Sequence, residues 1–474
     1  MSQKPAPPTV VPERLRAVLE ATWPIAERFE AAGKKIFLVG GPVRDGIAGR
    51  PGGVEPGPEV DIDLTSDATP DEIEALVADL SDAMWNQGKR FGTIGLRRAG
   101  RHFEITTHRA EAYAPESRKP EVRFGHDIET DLSRRDFTVN AMALSLPGLV
   151  LVDPFNGITD LAERRLRTPL EPEVSFSDDP LRMLRAARFI AGYELNPDAQ
   201  LVAAVESMRA RLEIVSRERI RDELDKLLLL PRPAAGLWFL VSTGLAEEFL
   251  PELPALALEQ DPVQRHKDVL AHTIAVVEKT SPERVLRLAA LFHDVGKPAT
   301  RSIGPGGVHF HHHDVVGARM TRKRMQELRY PTNVIEDVAR LVELHLRFHT
   351  YKMGWTDSAA RRYAHDAGPL LGRLNELTRC DCTTRNETKA KELALRIDEL
   401  ERRLVELRKR EELDAIRPQL DGIAVMAHLG IPPGRDVGAA LEFLLQIRLD
   451  EGLLDEKEIL RRLDAWWKDR SRAD

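Results

Sequence analysis

The sequence predicts an α+β protein in which a mixed first part is followed by a long, almost wholly helical remainder. Two observations support this fold class. Strand signals alternate with helix signals up to about residue 152, and beyond that point the chain is rich in Leu, Ala and Arg at helical spacing. Hydrophobic residues make up 42% and charged residues 31% of the chain, a composition typical of folded domains.

The 474 residues are enough for several domains of ordinary size. The head is predicted to end where the strand signals end, and a proline-bounded stretch at 251–262 has the composition of a linker. We predict five segments: a leader and first helix at 1–33, a mixed head at 34–152, a helical neck and body at 153–255, a histidine-rich helical domain at 256–385 and a helical tail at 386–474.

Charge, cysteine content and hydropathy exclude several classes of protein. The net charge is −7, so a surface for nucleic acid must be a local basic patch rather than the whole molecule. Cys380 and Cys382 cannot form a disulfide framework, which fits a reducing compartment and predicts a cytoplasmic protein. Because no apolar run approaches about eighteen residues, we expect no membrane association.

The head is predicted to begin with a helix, a buried strand and a glycine turn. Residues 13–32 have helical periodicity, and the apolar run 36–39 predicts a strand. Gly41 ends a Gly-Gly turn, and Pro42 suits the first turn of the helix that follows. Backbone N–H groups of such a turn can approach a triphosphate, and Arg44 could pair with phosphate oxygens.

A second strand carries two carboxylates. Residues 61–65 place Asp61 and Asp63 on one face, while Ile62 and Leu64 point to the other. Two carboxylates at this spacing suit Mg²⁺, which prefers oxygen ligands and completes its shell with water and substrate phosphates. An isolated Asp-x-Asp is more typical of a solvated turn, but next to Gly-Gly-x-x-Arg it favours nucleotidyl transfer.

A hairpin offers a third carboxylate. Residues 95–107 predict two strands with a turn near residues 99–100. The second strand places Glu104 and Thr106 on one face, so Glu104 is a candidate ligand, although an exposed strand glutamate is the alternative. Residues 109–126 are polar and basic with two prolines, and they predict a mobile loop.

Two further segments combine arginines with predicted helices. Residues 132–143 have polar residues at a predicted helix start, where Arg134 and Arg135 could reach a phosphate or a ribose or could be merely solvated. A later helix carries Asp179 and Arg182 three residues apart, so the two side chains are neighbours on its surface.

An aspartate beside an arginine can select a nucleobase. A carboxylate accepts a hydrogen bond from an exocyclic amino group, and a guanidinium donates to the adjacent ring nitrogen. Cytosine and adenine present an amino donor beside a ring acceptor, whereas uracil and guanine present the reverse order. Asp179 and Arg182 could therefore admit C and A without a template, and the alternative is a surface ion pair on a capped amphipathic helix.

Taken in order, these motifs resemble those of the class II, or bacterial-type, CCA-adding tRNA nucleotidyltransferase and poly(A) polymerase family. The resemblance implies a polymerase-β-like nucleotidyltransferase head followed by an all-α neck and body. One departure is Asp178, where the family usually has Glu, and it leaves the base-reading pair unchanged. The matching segments are 39–45, 61–63, 134–143, 153–161, 178–189 and 216–224.

The resemblance also implies a role for each motif residue. Asp61 and Asp63 would hold Mg²⁺, and Asp179 and Arg182 would read the base. The other nucleotide-binding residues would be Gly41, Arg44 and Arg135, together with Arg185 and Arg188, which would contact the triphosphate or the RNA end. From their positions alone, Glu104 is a further candidate catalytic carboxylate and Arg134 a further candidate for nucleotide binding.

The histidine-rich segment resembles the HD-domain phosphohydrolases. Any one of its histidines alone is more typical of a surface or core residue, and His311 and His312 are alternatives to their neighbour in the pattern. The mixed ligands suit a second divalent transition metal, Mn²⁺, Fe²⁺, Ni²⁺ or Zn²⁺, which generates hydroxide for attack on a phosphoester. The residues that match this all-α domain's pattern are, in order, His272, His293, Asp294, His313, His345 and Asp381.

The tail leaves one structural question open. Residues 387–410 place leucines and an isoleucine at alternating spacings of four and three, which forms a narrow apolar seam with charged flanks. This seam predicts either a coiled-coil hairpin arm or a helix docked on the body. Farther on, residues 429–438 predict a Gly/Pro connection between two helices.

We predict an enzyme that adds CCA to the 3′ end of tRNA from CTP and ATP without a template, with an HD phosphohydrolase activity on 2′,3′-cyclic phosphates or phosphomonoesters. The expected partners are tRNA, CTP and ATP, with no obligatory protein partner. A poly(A) polymerase, or a tRNA enzyme that adds only A or only CC, shares every motif. From another class, the chain could act mainly as an HD phosphohydrolase, although Asp61 and Asp63 argue against this.

Overall fold

The computed structural model describes most of the chain as two compact units, which divide between Pro251 and Glu252. The predicted loop at 109–126 lies outside the described residues, and the five predicted segment boundaries stay predictions. Among the described helices, none combines the length and the apolar character that crossing a membrane requires. The described residues are 12–49, 61–108, 127–258, 268–304, 307–350, 355–382, 387–410 and 416–470.

A seven-stranded sheet forms the centre of the head. Its strands are β1 (Ile36–Val39), β2 (Ile62–Ser66), β3 (Ala83–Trp85), β4 (Thr93–Arg98), β5 (Arg101–Thr107), β6 (Ala143–Leu146) and β7 (Leu151–Val152), in the spatial order β3-β4-β5-β2-β1-β6-β7. Neighbouring strands are antiparallel except β2 and β5, which are parallel and place Asp63 opposite Glu104.

Helices cover one face of this sheet. They are α1 (Glu13–Ala31), α2 (Gly41–Ala48) and α3 (Pro70–Val77). Phe29 of α1 packs into the same buried core as Leu64 of β2 and Ile105 of β5. Because side chains alternate along a strand, Asp63 and Glu104 point to the opposite face, away from these helices.

Several predicted elements of the head are confirmed. The first strand has the predicted bounds, and Pro42 lies at the start of α2. The hairpin of β4 and β5 turns at Ala99 and Gly100, which both have positive φ, at +49° and +75°. Tight hairpin turns favour such values at both central residues, and Gly100 adopts them at no steric cost, whereas Ala99 adopts a conformation that costs an L residue energy.

The helix predicted at 132–143 is wrong. The helix α4 (Ile128–Ser133) ends at the start of this segment, which continues as a short 3₁₀ turn and then as β6. Its apolar residues are buried on different sides, since Phe137 contacts Phe189 at 5.1 Å between ring centroids while Met142 belongs to the core of the sheet. A stripe of one helix face could not satisfy both environments.

The rest of the first unit is helical apart from two short paired strands. Helix α7 carries the predicted base-reading arginine and packs on α9 and α10. The elements are α5 (Gly157–Ala162), β8 (Arg165–Leu166), α6 (Pro172–Asp178), α7 (Leu181–Tyr193), β9 (Asn196–Pro197), α8 (Ala199–Met208), α9 (Arg217–Leu228) and α10 (Ala234–Ser242).

The described part of the second unit is helical apart from one short hairpin, β10 (Arg301–Gly304) and β11 (Gly307–Phe310), which is not predicted from the sequence. Helices α14 and α15 pack along each other, and α12 packs on α15 and α18. The helices are α11 (Val269–Lys279), α12 (Arg284–Phe292), α13 (Lys297–Thr300), α14 (His313–Glu327), α15 (Thr332–Leu344), α16 (Arg347–Thr350), α17 (Asp357–Ala367), α18 (Leu371–Asp381), α19 (Glu387–Arg410), α20 (Gly422–Leu429), α21 (Arg435–Glu451) and α22 (Glu456–Arg470).

The apolar seam of α19 belongs to a docked helix rather than to a projecting arm. Ile397, Leu400 and Leu404 are buried, and α19 packs against α17 and α18. Arg403 strengthens this contact by donating to Asp357 of α17 at 2.8 Å. The Gly/Pro connection predicted at 429–438 is also confirmed, since it joins α20 to α21.

Candidate functional site

The first candidate site is a cleft on the free face of the head sheet. Asp63 and Glu104 lie side by side on β2 and β5, and Asp61 is exposed immediately before β2. The cleft has a volume of about 210 Å³. Its lining residues are Val39, Asp63, Leu64, Glu104, Thr106, Asp131, Arg134 and Arg135.

The electrostatics of this cleft suit a cation. Burial, opposed by the charge of Arg135 and assisted by the negative charges of Glu104 and Asp61, raises the pKa of Asp63 to about 6. Three carboxylates are thus crowded with one nearby guanidinium. A divalent cation bound by their oxygens would relieve this repulsion, so the residues present fit Mg²⁺.

The glycine turn after β1 is packed against this cleft. Gly40 has φ +70°, and a Cβ there would lie 3.2 Å from Nη1 of Arg135 and 3.7 Å from Oδ2 of Asp63. The positive φ favours glycine, and an added Cβ would crowd the guanidinium of Arg135. The turn leaves the side chains of Asp63 and Arg135 space beside its backbone N–H groups.

Arg44 is placed differently from the phosphate-binding role implied for it. Its guanidinium is only 6% exposed and donates to Asp45, Asn140 and the hydroxyl of Tyr193. It also stacks on the Tyr193 ring, 4.1 Å from the centroid. In this structure Arg44 links α2 to α7, and direct contact with phosphate stays a prediction.

A second cavity lies beside the first and has a volume of about 280 Å³. Arg135 lines both cavities, so the strand carboxylates and the predicted base-reading residues are adjacent. Of the predicted site residues of the head, Asp61, Gly41, Arg44 and Arg188 line neither of these two described cavities. The lining residues of the second are Arg135, Asp136, Asp179, Leu181, Arg182, Arg185 and Arg219.

The predicted base-reading residues each bond to other parts of the head and neck. Arg182 is buried, and its guanidinium donates to the hydroxyl of Ser175 at 2.8 Å and to the carbonyl of Arg134 at 2.6 Å. The carboxylate of Asp179 accepts from the backbone N–H of Leu181 at 3.1 Å and from Arg219 at 2.7 Å. The two side chains therefore line one cavity but do not share a hydrogen bond here. The prediction that both lie on one helix is wrong, because Asp179 precedes α7 and has an extended backbone.

The next arginines on α7 are held by acids. Arg185 donates to Asp136 at 2.9 Å, and Arg188 donates to Glu223 of α9. Burial favours the neutral form of Asp136, but Arg185 and the amide of Asn140 outweigh it and hold the pKa of that carboxyl well below its usual range. These pairs set the position of α7 relative to the head.

Three charged residues of these cavities, Asp131, Asp136 and Arg219, have no role predicted from the sequence. Asp131 lines the first cavity and pairs with Arg135 at 3.4 Å, which its position four residues earlier on a helical segment could have indicated. Arg219 reaches the second cavity from α9, forty residues from Asp179, and nothing in the local sequence indicates this contact.

The second candidate site is a buried cluster in the second unit. His272 comes from α11, His313 begins α14, and the other members follow or end helices. Two overlapping sets have ligand atoms within 4.8 Å of one another: His272, His293 and Asp294, and Asp294, His313 and His345. Asp381 joins the first set, because its Oδ1 lies 2.8 Å from Nε2 of His272 and 3.6 Å from Nε2 of His293.

Three of these imidazoles have a fixed orientation. The Nδ1 atoms of His293, His313 and His345 each lie 2.6–2.8 Å from the backbone carbonyl oxygen three residues earlier. A carbonyl only accepts, so each Nδ1 carries the proton and donates to it. Each Nε2 then faces the cluster, which is how proteins orient metal-binding histidines.

Asp294 lies at the centre of the cluster and faces both sets. Its Oδ2 is 3.3 Å from Nε2 of His293, and its Oδ1 is 3.5 Å from Nε2 of His313. Burial lowers the pKa of His345 to about 4, and the neighbouring His293 contributes to this shift. Burial also disfavours charge on His293, but Asp294 and Asp381 raise its pKa to about 10. One buried positive charge is therefore favoured where the carboxylates meet.

The cluster also selects among three adjacent histidines. His313 is a member, whereas His311 and His312 are exposed. Lys297 donates to Oδ2 of Asp294 at 2.6 Å from the helix that follows it. These buried imidazole and carboxylate groups, three of the imidazoles having a fixed orientation, fit a divalent metal ion.

Three protein-family descriptions match this chain, in the order of the head, the helices that follow it and the histidine cluster. The “Poly A polymerase head domain” matches residues 36–167, the “Probable RNA and SrmB- binding site of polymerase A” matches residues 194–256, and the “HD domain” matches residues 269–405. The first two matches cover the sheet and most of the helices of the first unit. The third covers the histidine cluster.

Two relatives align over most of their length. The A-adding tRNA nucleotidyltransferase of Deinococcus radiodurans is 37% identical over 335 residues, which are 68% of this chain and 75% of the relative. The CC-adding tRNA nucleotidyltransferase of Thermus thermophilus is 36% identical over 356 residues, 72% of this chain and 78% of the relative. The CCA-adding enzyme of Lactobacillus helveticus is 35% identical over 237 residues, 50% of this chain and 56% of the relative.

Solved structures agree on the fold. The Bacillus stearothermophilus CCA-adding enzyme in complex with CTP has a TM-score of 0.69 at 22% identity, and the comparison covers 96% of this chain and 99% of that one. The Thermotoga maritima CCA-adding enzyme complexed with tRNA has a TM-score of 0.58 at 20% identity, with 96% and 98% coverage. This chain therefore belongs to the tRNA nucleotidyltransferase family and carries an HD domain in its second unit.

Proposed function

We propose that the chain adds C and A to the 3′ end of tRNA without a nucleic-acid template, using CTP and ATP, to complete the CCA end. The observation that carries this proposal is the adjacency of two cavities that share Arg135. One contains strand carboxylates suited to nucleotidyl transfer, and the other contains Asp179 and Arg182, which can recognise the edge shared by C and A.

The reaction would be an in-line displacement. The 3′ oxygen of the RNA forms a bond to the α-phosphorus of the nucleotide, the bond to the β-phosphate oxygen breaks, and pyrophosphate leaves. Asp61, Asp63 and Glu104 would hold Mg²⁺, which when bound activates the attacking hydroxyl and neutralises charge on the leaving group. Arg134 and Arg135 at the cleft would stabilise the triphosphate by charge-assisted hydrogen bonds.

Base selection would occur in the second cavity. Asp179 would accept from the exocyclic amino group, and Arg182 would donate from a guanidinium hydrogen that its contacts with Ser175 and Arg134 leave available. Uracil and guanine would place a carbonyl oxygen against the carboxylate. The resulting repulsion excludes them.

A second candidate function is the addition of only A or only CC. Two relatives that align with 68% and 72% of this chain are named for these partial activities, whereas the Lactobacillus relative named for CCA addition aligns with 50% of it. Both candidates use the same two cavities. They differ in the products that each nucleotide supports.

Nucleotide omission separates the candidates. Three transcripts of one tRNA are prepared: one without the 3′ CCA, one that ends in CC and one with the complete CCA end. Each is incubated with CTP alone, ATP alone or both, and the products are read at single-nucleotide resolution. CC addition with CTP followed by A with ATP supports the proposal. Addition of A only to the CC-ended transcript, or arrest after CC in the presence of ATP, supports a partial enzyme. Long A tails would indicate a poly(A) polymerase.

For the second unit we infer a metal-dependent phosphohydrolase activity on phosphomonoesters or 2′,3′-cyclic phosphates. The buried cluster around Asp294 offers oriented imidazole nitrogens and two carboxylates, which suit Mn²⁺, Fe²⁺, Ni²⁺ or Zn²⁺. A metal in this site would lower the pKa of a bound water and so supply hydroxide for attack on phosphorus.

The inferred activity has a direct test. The full chain is stripped with a chelator and reloaded separately with each of the four metals, and release of phosphate or opening of 2′,3′-cyclic AMP is followed. Hydrolysis that requires one of these metals and is lost in Asp294→Ala supports the inference. If Asp294→Ala still hydrolyses these substrates, the activity belongs to a contaminant or to another site.

A further inference from the structure

The base-reading cavity contains an arginine outside the residues that the proposed mechanism uses. Arg219 lies on α9, and its Nη2 donates to Oδ2 of Asp179 at 2.7 Å. It lines the same cavity as Asp179 and Arg182. The contact joins the carboxylate that would read the base to an element that is separate in sequence.

This contact limits the orientation of the Asp179 carboxylate. Asp179 is an extended residue between α6 and α7, with φ −143° and ψ 99°, so no helix fixes its side chain. Its Oδ1 accepts from the backbone N–H of Leu181 at 3.1 Å, and its Oδ2 accepts from Arg219. With one donor on each oxygen the carboxylate plane is set, and each oxygen keeps a further lone pair for a base.

Arg182 is fixed by a different kind of environment. Its guanidinium is buried and donates to Ser175 and to the backbone of Arg134. The side chain of Arg219 is 53% exposed. One member of the base-reading pair is therefore held by buried contacts, and the other is held through a half-exposed ion pair that can be removed without opening the core.

We propose that Arg219 is the positioning residue for Asp179 and that it determines how strongly C and A are preferred over U and G. This inference rests on the proposed nucleotide addition. Without Arg219 the carboxylate would rotate away from its set plane. C and A would lose a well-placed acceptor, and U and G would no longer meet a fixed negative charge opposite their carbonyl oxygen. Both changes would lower the preference for C and A over U and G.

The experiment compares Arg219→Ala and Arg219→Lys in the full chain with the wild type and with Arg221→Ala. Arg221 lies on the same helix, pairs with Asp222 and is not part of the cavity lining, so it controls for the loss of one positive charge. Single-turnover transfer to tRNA measures kcat/KM for CTP against UTP and for ATP against GTP. Equilibrium binding of CTP and UTP is measured in parallel.

We expect Arg219→Ala to lower both selectivity ratios by about tenfold, the loss typical of one charge-assisted hydrogen bond. Arg219→Lys should restore part of the loss, and Arg221→Ala should retain the wild-type ratios. In an Asp179→Asn background, Arg219→Ala should have no further effect on selectivity, because the two residues act through one contact.

The outcomes separate this inference from the proposed function. If the wild type transfers C and A selectively and Arg219→Ala has the same selectivity ratios, the role of Arg219 is rejected. The proposed nucleotide addition would still stand. Additive losses in the double variant would also overturn the role of Arg219. If the wild type neither transfers nor binds CTP better than UTP, both the proposed function and the role of Arg219 are rejected.

Discussion

The two candidate sites of this chain prepare their ligand atoms in opposite ways. In the head, Asp63 and Glu104 are adjacent strand carboxylates in an open cleft, and the surrounding arginines offer charge to an anionic substrate. In the second unit, His293, His313 and His345 are buried, and each imidazole is oriented by the carbonyl oxygen three residues earlier.

This difference indicates how each site obtains its metal. The head carboxylates supply only part of a coordination shell, so a cation there would be completed by the triphosphate and by water. The buried cluster supplies four imidazoles and two carboxylates around Asp294, enough for a shell made almost entirely by protein. We expect metal in the head to exchange with each nucleotide and metal in the HD domain to remain bound.

If the two sites are independent, changes in the head should abolish transfer and leave the HD metal in place. Asp63→Ala is expected to lower nucleotide transfer by about a thousandfold, because Mg²⁺ would lose one of its carboxylate ligands. Asp71→Ala removes an exposed carboxylate of α3 and should retain transfer. Transfer is measured on tRNA, and metal content by mass spectrometry. Undiminished transfer in Asp63→Ala would remove the head cleft from the reaction.

The reciprocal change sharpens the contrast. Asp294→Ala should reduce the bound transition metal at least about tenfold, since both histidine sets lose their common carboxylate. His311→Ala changes an exposed neighbour outside the cluster and should keep the wild-type metal content. Nucleotide transfer should be the same in both variants. Equal metal content in Asp294→Ala and His311→Ala would exclude the cluster as the metal site.

A buried carboxylate, Asp136, links the head to α7 through Arg185, whereas carbonyl contacts orient the imidazoles of the HD cluster. Asp136→Asn should lower the free energy of unfolding of the first unit by about 3 kcal/mol at pH 7, because Arg185 loses a buried partner. The pKa of Asp136 is depressed in the folded state, so its stabilisation is present above the unfolded pKa of about 4 and is lost as the pH falls below it.

Denaturant unfolding of wild type and Asp136→Asn at several pH values tests this dependence. The gap in the free energy of unfolding should shrink steadily as the pH is lowered from about 4. A gap that stays constant down to strongly acidic pH would show that the charge of Asp136 does not stabilise the fold.

A glycine brings the two halves of the HD cluster together. A Cβ on Gly296 would lie 2.2 Å from the carbonyl oxygen of His313 and 2.7 Å from the backbone nitrogen of Gly317. Gly296→Ala should therefore displace α14, lower the stability of the second unit by about 2 kcal/mol and weaken metal binding. Gly372→Ala is a matched control, since nothing lies within 4 Å of its added Cβ and alanine favours helices. Equal melting temperatures for the two variants would contradict this packing.

Local chemistry made much of the head predictable. The strand, glycine turn and Pro42 at the start of α2 follow from short-range signals, and so does the hairpin that carries Glu104. The meeting of Asp63 with Glu104 depends on a parallel pairing between β2 and β5, which joins strands separated by β3 and β4 in the chain. Sequence alone offers no signal for that register.

Features that the local sequence does not determine have the same physical origin. The segment 132–143 has helical spacing of apolar residues, but contacts with the sheet core and with Phe189 bury them on different sides. Arg44 lies beside a phosphate-type turn in sequence, yet Asn140 and Tyr193 from distant elements engage its guanidinium. In the second unit, the choice of His313 over His311 depends on how α14 packs.

The proposed CCA addition is tested most directly with a tRNA that lacks its last three nucleotides. This tRNA is extended in the presence of all four nucleoside triphosphates, and the products are sequenced. Wild-type protein should add only C and A in the order CCA, with no U or G, and Asp63→Ala should add nothing. Tails that include U or G, or no extension by the wild type, would contradict the proposed CCA addition.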